Sequence, residues 1–208
     1  MSVLSSSEFN MFILKGLNNP SLIDSDPVNK IINIFGPHEI NEPFSFDNST
    51  KNFPYDVVFE NLKFTRFDLS QTRFKITFKN CVINELYIKK PAQRDNLSVT
   101  IIDGTYGRIN ISSNYQVSII NATIENLVID DNQKFIFLNN DRPNEKMPVS
   151  NLIIRNNHSK INLTNLQIKN FELTENNFDA ITCANSNIEK LEFHDFRNIN
   201  MKLSKVEC

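Results

Sequence analysis

The sequence predicts an all-β protein, a right-handed parallel β-helix solenoid of about seven to eight coils with a small N-terminal helical cap. Three observations predict it. Apolar residues recur on one irregular template along most of the chain. One polar offset in that template carries Asn or Asp in every copy. The segments between copies are polar connectors, as they should be where a chain turns from one repeat into the next.

The N-terminal segment, residues 1–50, lies outside the template and reads as the cap. "SSSEFNMFILKG" places Phe9, Phe12 and Ile13 on one side of a helix. "SDPVNKIINIFG" predicts a second helix, with Asp26 as N-cap, Pro27 in the first turn and Gly36 just past the end. Val28, Ile31, Ile32 and Phe35 would form its apolar face. A cap is needed because the first coil of a solenoid exposes an unpaired edge.

The solenoid is expected over 51–208. With Phe59 as position 0, apolar residues fall at −2, 0, +3, +5, +8 and +10: Val57, Phe59, Leu62, Phe64, Phe67 and Leu69. The spacing recurs from Ile76, Val99, Val117, Ile161 and Ile181. Another copy opens with Phe135 and Phe137 and resumes at Met147, Val149, Leu152 and Ile154, if about residues 140–146 are an insertion. One more copy would start at Ile199 and Met201. Two apolar residues separated by one outward residue make a short strand with one buried face. Three such walls and a connector make a coil whose apolar interior only its neighbours can cover.

Position +2, which is not one of the apolar positions of the template, reads Asn61, Asn80, Asp103, Asn121, Asn139, Asn165 and Asn185. The chain holds 32 Asn and only 4 Gly. Asn is the residue next most tolerant of positive φ after Gly, so these positions predict corners, with amides stacked as a ladder.

The five-residue offset between walls, in "ENLKF", "NATIENLVI" and "CANSNIEKLEF", resembles the pentapeptide-repeat family over about residues 57–203. Large residues at +8, such as Phe67, Leu127 and Phe171, depart from that family's pattern. The resemblance implies a non-enzymatic binding protein, some family members acting on topoisomerases.

The net charge of −2 gives no basic face for nucleic acid. No run of about 18 apolar residues predicts a membrane span. Cys81, Cys183 and Cys208 lack metal-like spacing, which predicts free thiols in a cytoplasmic protein. No Gly-rich phosphate loop or nucleophile elbow occurs, so no catalytic residue, cofactor or metal is expected. A carbohydrate-active β-helix enzyme is the alternative from another class, and it would need convergent acids. Glu85 and Glu125 stand two coils apart, roughly 10 Å, with Arg108 between them, which reads as a solvated charge row.

The outward +1 row shows apolar Ile102, Ile120 and Leu138 in consecutive coils, with Ile136 beside them. The +9 row adds Tyr87, Val128 and Ile153. Apolar patches spanning several coils mark contact surfaces, or faces covered by the cap or the insertion. The expected partners are a protein on these faces, or a second copy at the C-terminal edge.

Overall fold

The computed structural model describes residues 2–18, 24–26, 28–45, 56–69, 74–89, 98–112, 116–131, 134–174, 181–194 and 201–205. One helix, α1 (Ser6–Asn18), follows strand β1 (Ser2–Leu4). Next come β2 (Asp24–Asp26), β3 (Ile31–Phe35), β4 (His38–Ser45), β5 (Asp56–Glu60), β6 (Lys63–Asp68), β7 (Ile76–Lys79), β8 (Val82–Lys89), β9 (Ser98–Ile102) and β10 (Thr105–Ser112). The remainder are β11 (Gln116–Ile120), β12 (Thr123–Asp130), β13 (Ile136–Asn139), β14 (Met147–Arg155), β15 (Ile161–Thr164), β16 (Leu166–Thr174), β17 (Ile181–Ala184), β18 (Asn187–His194) and β19 (Met201–Ser204).

The strands form a parallel β-solenoid. The odd strands from β3 to β19 stack in one sheet with β2 on its outer edge; the even strands from β4 to β18 stack in the other, with β1 on its edge. Each strand pairs in parallel with the strand one coil away, except that β2 meets β3 antiparallel. Template positions are in register: Val57 faces Ile76, Phe59 faces Phe78, and Phe64 faces Ile83. The expected second and third walls are a single bent strand in each coil. Pairing lapses at the bend, at Asn84 in β8 and Gly107 in β10, where the buried spacing changes from two to three residues.

The interior is a continuous column of apolar side chains, aromatic near the N-terminus and mostly aliphatic beyond. Phe67 stands 4.9 Å from Phe64, 5.0 Å from Phe44 and 5.0 Å from Phe78 between ring centroids. Helix α1 closes this end. Ser5 and Glu8 make a reciprocal cap, with Glu8 N–H donating to Ser5 Oγ at 3.2 Å and Ser5 N–H donating to Glu8 Oε2 at 2.7 Å. Ser5 N–H and the Ser5 hydroxyl, both donating to Glu8 Oε2, hold the exposed Glu8 carboxyl below its ordinary pKa. The helix then drives Phe9 and Ile13 into the open coil, where Phe9 is fully buried with its ring 5.1 Å from Phe44.

The second expected helix is not formed. Asp26 does accept from Val28 and Asn29 N–H at 3.0 and 2.9 Å, but the turn ends at Lys30 (φ 55°). The chain then enters β3, with Ile32 and Ile34 inside and Val28 and Phe35 exposed; Pro27 lies outside the described residues. Over so short a span the i, i+3, i+4 pattern and simple alternation share residues, and pairing with β5 decides between them. The solenoid sheets therefore reach back to Ile31, inside the segment expected to be cap. A register shift between Ile40 and Pro43 stretches β4, so the second half of this coil departs from the template.

Among the described residues no helix is long and apolar enough to cross a membrane. Cys81 and Cys183 are buried free thiols, and Cys208 lies outside the described residues.

Candidate interaction surfaces

The corner column follows from backbone sterics. Asn61, Asn80, Asp103, Asn121, Asn165 and Asn185 all adopt left-handed φ, between 48° and 58°. Each donates its N–H to a carbonyl of the following coil, for example Asn80 to Ile102 at 2.9 Å and Asn185 to Ser204 at 2.9 Å. Side-chain amides join the rungs: Asn80 Nδ2 donates to Asn61 Oδ1 at 2.7 Å, and Asn185 Nδ2 to Asn165 Oδ1 at 2.6 Å. Asp103 has no amide donor to pass on, and the Arg142 guanidinium meets its Oδ1 at 2.5 Å. Arg142 comes from the insertion, so the insertion is tied to the column where the ladder chemistry changes.

One expected register is wrong by a residue. Ile136 and Leu138 pair with Val117 and Ile119 and are fully buried, so neither belongs to an outward surface. Phe135 and Phe137, expected inside, are half-buried on the outer side with stacked rings 6.5 Å apart. A one-residue slip exchanges the two faces of a strand. The doublet Asn139–Asn140 caused the error, since either could serve as the corner Asn. Asn139 ends β13 instead of sitting at left-handed φ, yet its Oδ1 still accepts from Asn165 Nδ2 at 3.2 Å.

The patch on this face is therefore composed differently. Ile102 and Ile120 are half-buried neighbours in β9 and β11. Asn139 stands next in register with them, and Phe137 lies one outward position away on the same face, opposite Ser118. The +9 row is less apolar than expected. Val128 is only 8% exposed and is excluded from the surface, while Ile153 is half-buried. Tyr87 carries the Arg66 guanidinium 4.4 Å over its ring and donates its hydroxyl to Glu85 at 3.2 Å. Arg66 also lies 4.0 Å from Glu85, which makes that acid part of a charge network.

A second amide ladder runs across β12, β14 and β16. Asn151 donates to Asn126 at 2.9 Å and Asn170 donates to Asn151 at 2.8 Å. The signal was available, as three Asn at one offset in consecutive coils.

The C-terminal end differs from the capped N-terminal end. In β16, Phe171 and Leu173 are buried beneath β18; their counterparts Leu191 and Phe193 in β18 are only half-buried. Met201 is half-buried and Leu203 is 49% exposed in β19. Strands β18 and β19 are the last in their sheets among the described residues. Lys190, 2.7 Å from Glu192, holds that exposed carboxyl below its ordinary pKa. His194 is exposed at the end of β18, and its neighbour Asp195 lies outside the described residues, as do most of the connectors.

Among the described residues no group of three or more His, Cys, Asp or Glu could hold a metal ion. No protein-family model, curated protein or solved structure matches the chain.

Proposed function

We propose that the protein is a non-enzymatic protein-binding or assembly module. The observation that carries this reading is the contrast between its ends. Phe9 and Ile13 of α1 seal one end, whereas Leu191, Phe193, Met201 and Leu203 stay partly open at the other. Among the described residues β18 and β19 have no further strand beside them, and such edge strands offer backbone groups that another β-edge can satisfy. The Ile102, Ile120 and Phe137 face provides a second contact area. The pentapeptide-like spacing supports the same reading, since proteins with such repeats are commonly binding proteins. Two buried thiols without a disulfide suit a reducing, cytoplasmic setting.

The test is sedimentation velocity over a wide concentration range, on the wild type and on Leu203→Lys, together with crosslinking capture by wild type and Ile120→Lys. Concentration-dependent association lost in Leu203→Lys, or a captured protein lost in Ile120→Lys, supports the reading. A strict monomer whose captured proteins are the same in Ile120→Lys refutes it.

A further inference from the structure

The insertion folds back over the corner column and borders a half-open pocket of about 440 Å³. Its floor is three successive rungs, Asn139, Asn165 and Asn185; its wall is the insertion. The volume lies in the lower part of the usual range for small-molecule sites, about 300–1,000 Å³.

The insertion is held in place by the solenoid itself. Asp141 N–H donates to Asn121 Oδ1 at 2.9 Å, and Arg142 reaches back to Asp103. At the other end Lys146 Nζ donates to Asn187 Oδ1. Asn140, 3% exposed, accepts from Arg142 N–H at 3.1 Å, which pins the first turn of the insertion. The wall is thus anchored on coils to either side of its own.

The charges in the wall cancel. Asp141 and Glu145 offset Arg142 and Lys146, and both cations already have partners, Arg142 lying 3.7 Å from Glu145 in addition to Asp103. Arg142 is held by two carboxylates and the Lys146 ammonium by the Asn187 amide oxygen, so the wall carries no net charge to draw an anion, and it offers a metal ion no set of acidic ligands.

Unused hydrogen-bonding capacity remains in the floor. An Asn side chain has two donors and two acceptor lone pairs. Asn165 spends both donors, on Asn139 Oδ1 at 3.2 Å and Asn140 O at 2.7 Å. Asn185 spends one donor, and its Oδ1 has no partner among the described residues; the Nδ2 of Asn139 has none either. Rungs repeat at about 4.8 Å, the strand spacing. The two free positions, on Asn139 and Asn185, lie two rungs apart, about 9.6 Å, a span for hydroxyls at opposite ends of a pyranose or on two linked rings.

We propose that this pocket binds a neutral polyhydroxylated ligand, a saccharide unit of one or two rings, through the free amide positions of Asn139 and Asn185. The site is independent of the protein-binding faces. It is tested on the full chain by following side-chain amide resonances while glucose, galactose, mannose, N-acetylglucosamine and sucrose are titrated, with phosphate and acetate as anionic comparators. A saturable shift of the Asn139 and Asn185 amides with at least one neutral sugar is expected. Asn185→Gly keeps the left-handed backbone and removes the amide, and should weaken binding about tenfold, the worth of one or two hydrogen bonds. Asn80→Gly removes a corner amide outside the pocket and should leave binding unchanged. If Asn185→Gly does not fold, Asn139→Ser, in a strand, takes its place. Absence of any sugar response, preferential response to phosphate or acetate, or equal binding by the pocket variant and Asn80→Gly overturns the proposal.

Discussion

Asn80 donates its side-chain amide to Asn61 Oδ1 across 2.7 Å, and both residues hold left-handed backbone, at φ 48° and 56°. Two separate demands meet at this corner. The backbone needs a residue that tolerates positive φ, and the stack gains from one that can both donate and accept. Gly satisfies the first demand alone. Asp satisfies the first and half of the second, and at Asp103 the column needs Arg142 beside it.

Substitutions at Asn80 separate the two demands. Asn80→Gly loses the ladder bond, about 0.5–1.5 kcal/mol. Asn80→Ala loses that bond and forces a Cβ-bearing residue without a compensating side chain into left-handed backbone, a further cost of about 1–2 kcal/mol. Urea unfolding should rank the midpoints as wild type, then Gly, then Ala. Equal midpoints for the two variants would show that the corner is not under backbone constraint.

Phe9 is the plug of the N-terminal end. Phe9→Ala should cost about 3–5 kcal/mol locally, as for other buried aromatic truncations. In a solenoid each coil contacts only its neighbours, so the loss should stay near the end. Hydrogen exchange should accelerate in β3 and β4 and remain unchanged in β12 and β14. Uniform acceleration would show that the coils unfold as one unit.

The periodic part of this fold was legible in the sequence because a solenoid repeats one environment. Val57, Phe59, Leu62, Phe64, Phe67 and Leu69 are all buried, and one copy of the template predicts the next. Legibility failed where the environment changes. At β3 and β4 only the first wall follows the template, Ile32 and Ile34 standing opposite Val57 and Phe59, while the stretched second strand departs from it. At β13 adjacent Asn residues hid the register, and Phe135 and Phe137 looked like better core residues than Ile136 and Leu138. The neighbouring columns, Val117 with Ile161 and Ile119 with Leu163, accommodate Ile and Leu there instead. The pocket floor was visible only in part. Asn139, Asn165 and Asn185 stood out in the corner column, but the fold of the insertion over them depends on Asp103 and Asn187, distant in sequence.

Burial pushes the Cys81 thiol up to about 11, from an ordinary 9.0. The folded chain keeps this proton in a pH range where the unfolded chain releases it. Its contribution is therefore complete below about pH 9 and falls as the pH rises toward 11, by up to about 2–3 kcal/mol. Comparing urea midpoints of the wild type and Cys81→Ala at about pH 8 and about pH 10.5 isolates this group from other titrating residues. The wild type should lose more stability than the variant over that interval. A maleimide should leave Cys81 unmodified in the folded protein at neutral pH and label it after denaturation.

Tyr106 occupies the inward position held by Phe64, Ile83 and Ile124 in other coils, and it is 1% exposed. Its hydroxyl is buried without a hydrogen-bond partner among the described residues. Burial is also the main reason its pKa is raised. Two positions before it stands Gly104, at φ 90°, where a Cβ would lie 2.2 Å from the Cys81 carbonyl oxygen. That position carries Leu62 and Ala122 in other coils, but here the Cys81 backbone packs against Gly104 and admits no side chain. The ring is useful there and the hydroxyl is not. Tyr106→Phe keeps the ring and removes the unsatisfied group, and should raise stability by about 1–2 kcal/mol. Tyr106→Ile should lower it, because truncating the buried ring leaves a cavity in the core. A lower urea midpoint for the Phe variant would mean that the hydroxyl has a partner, such as a bound water, that makes it part of the core.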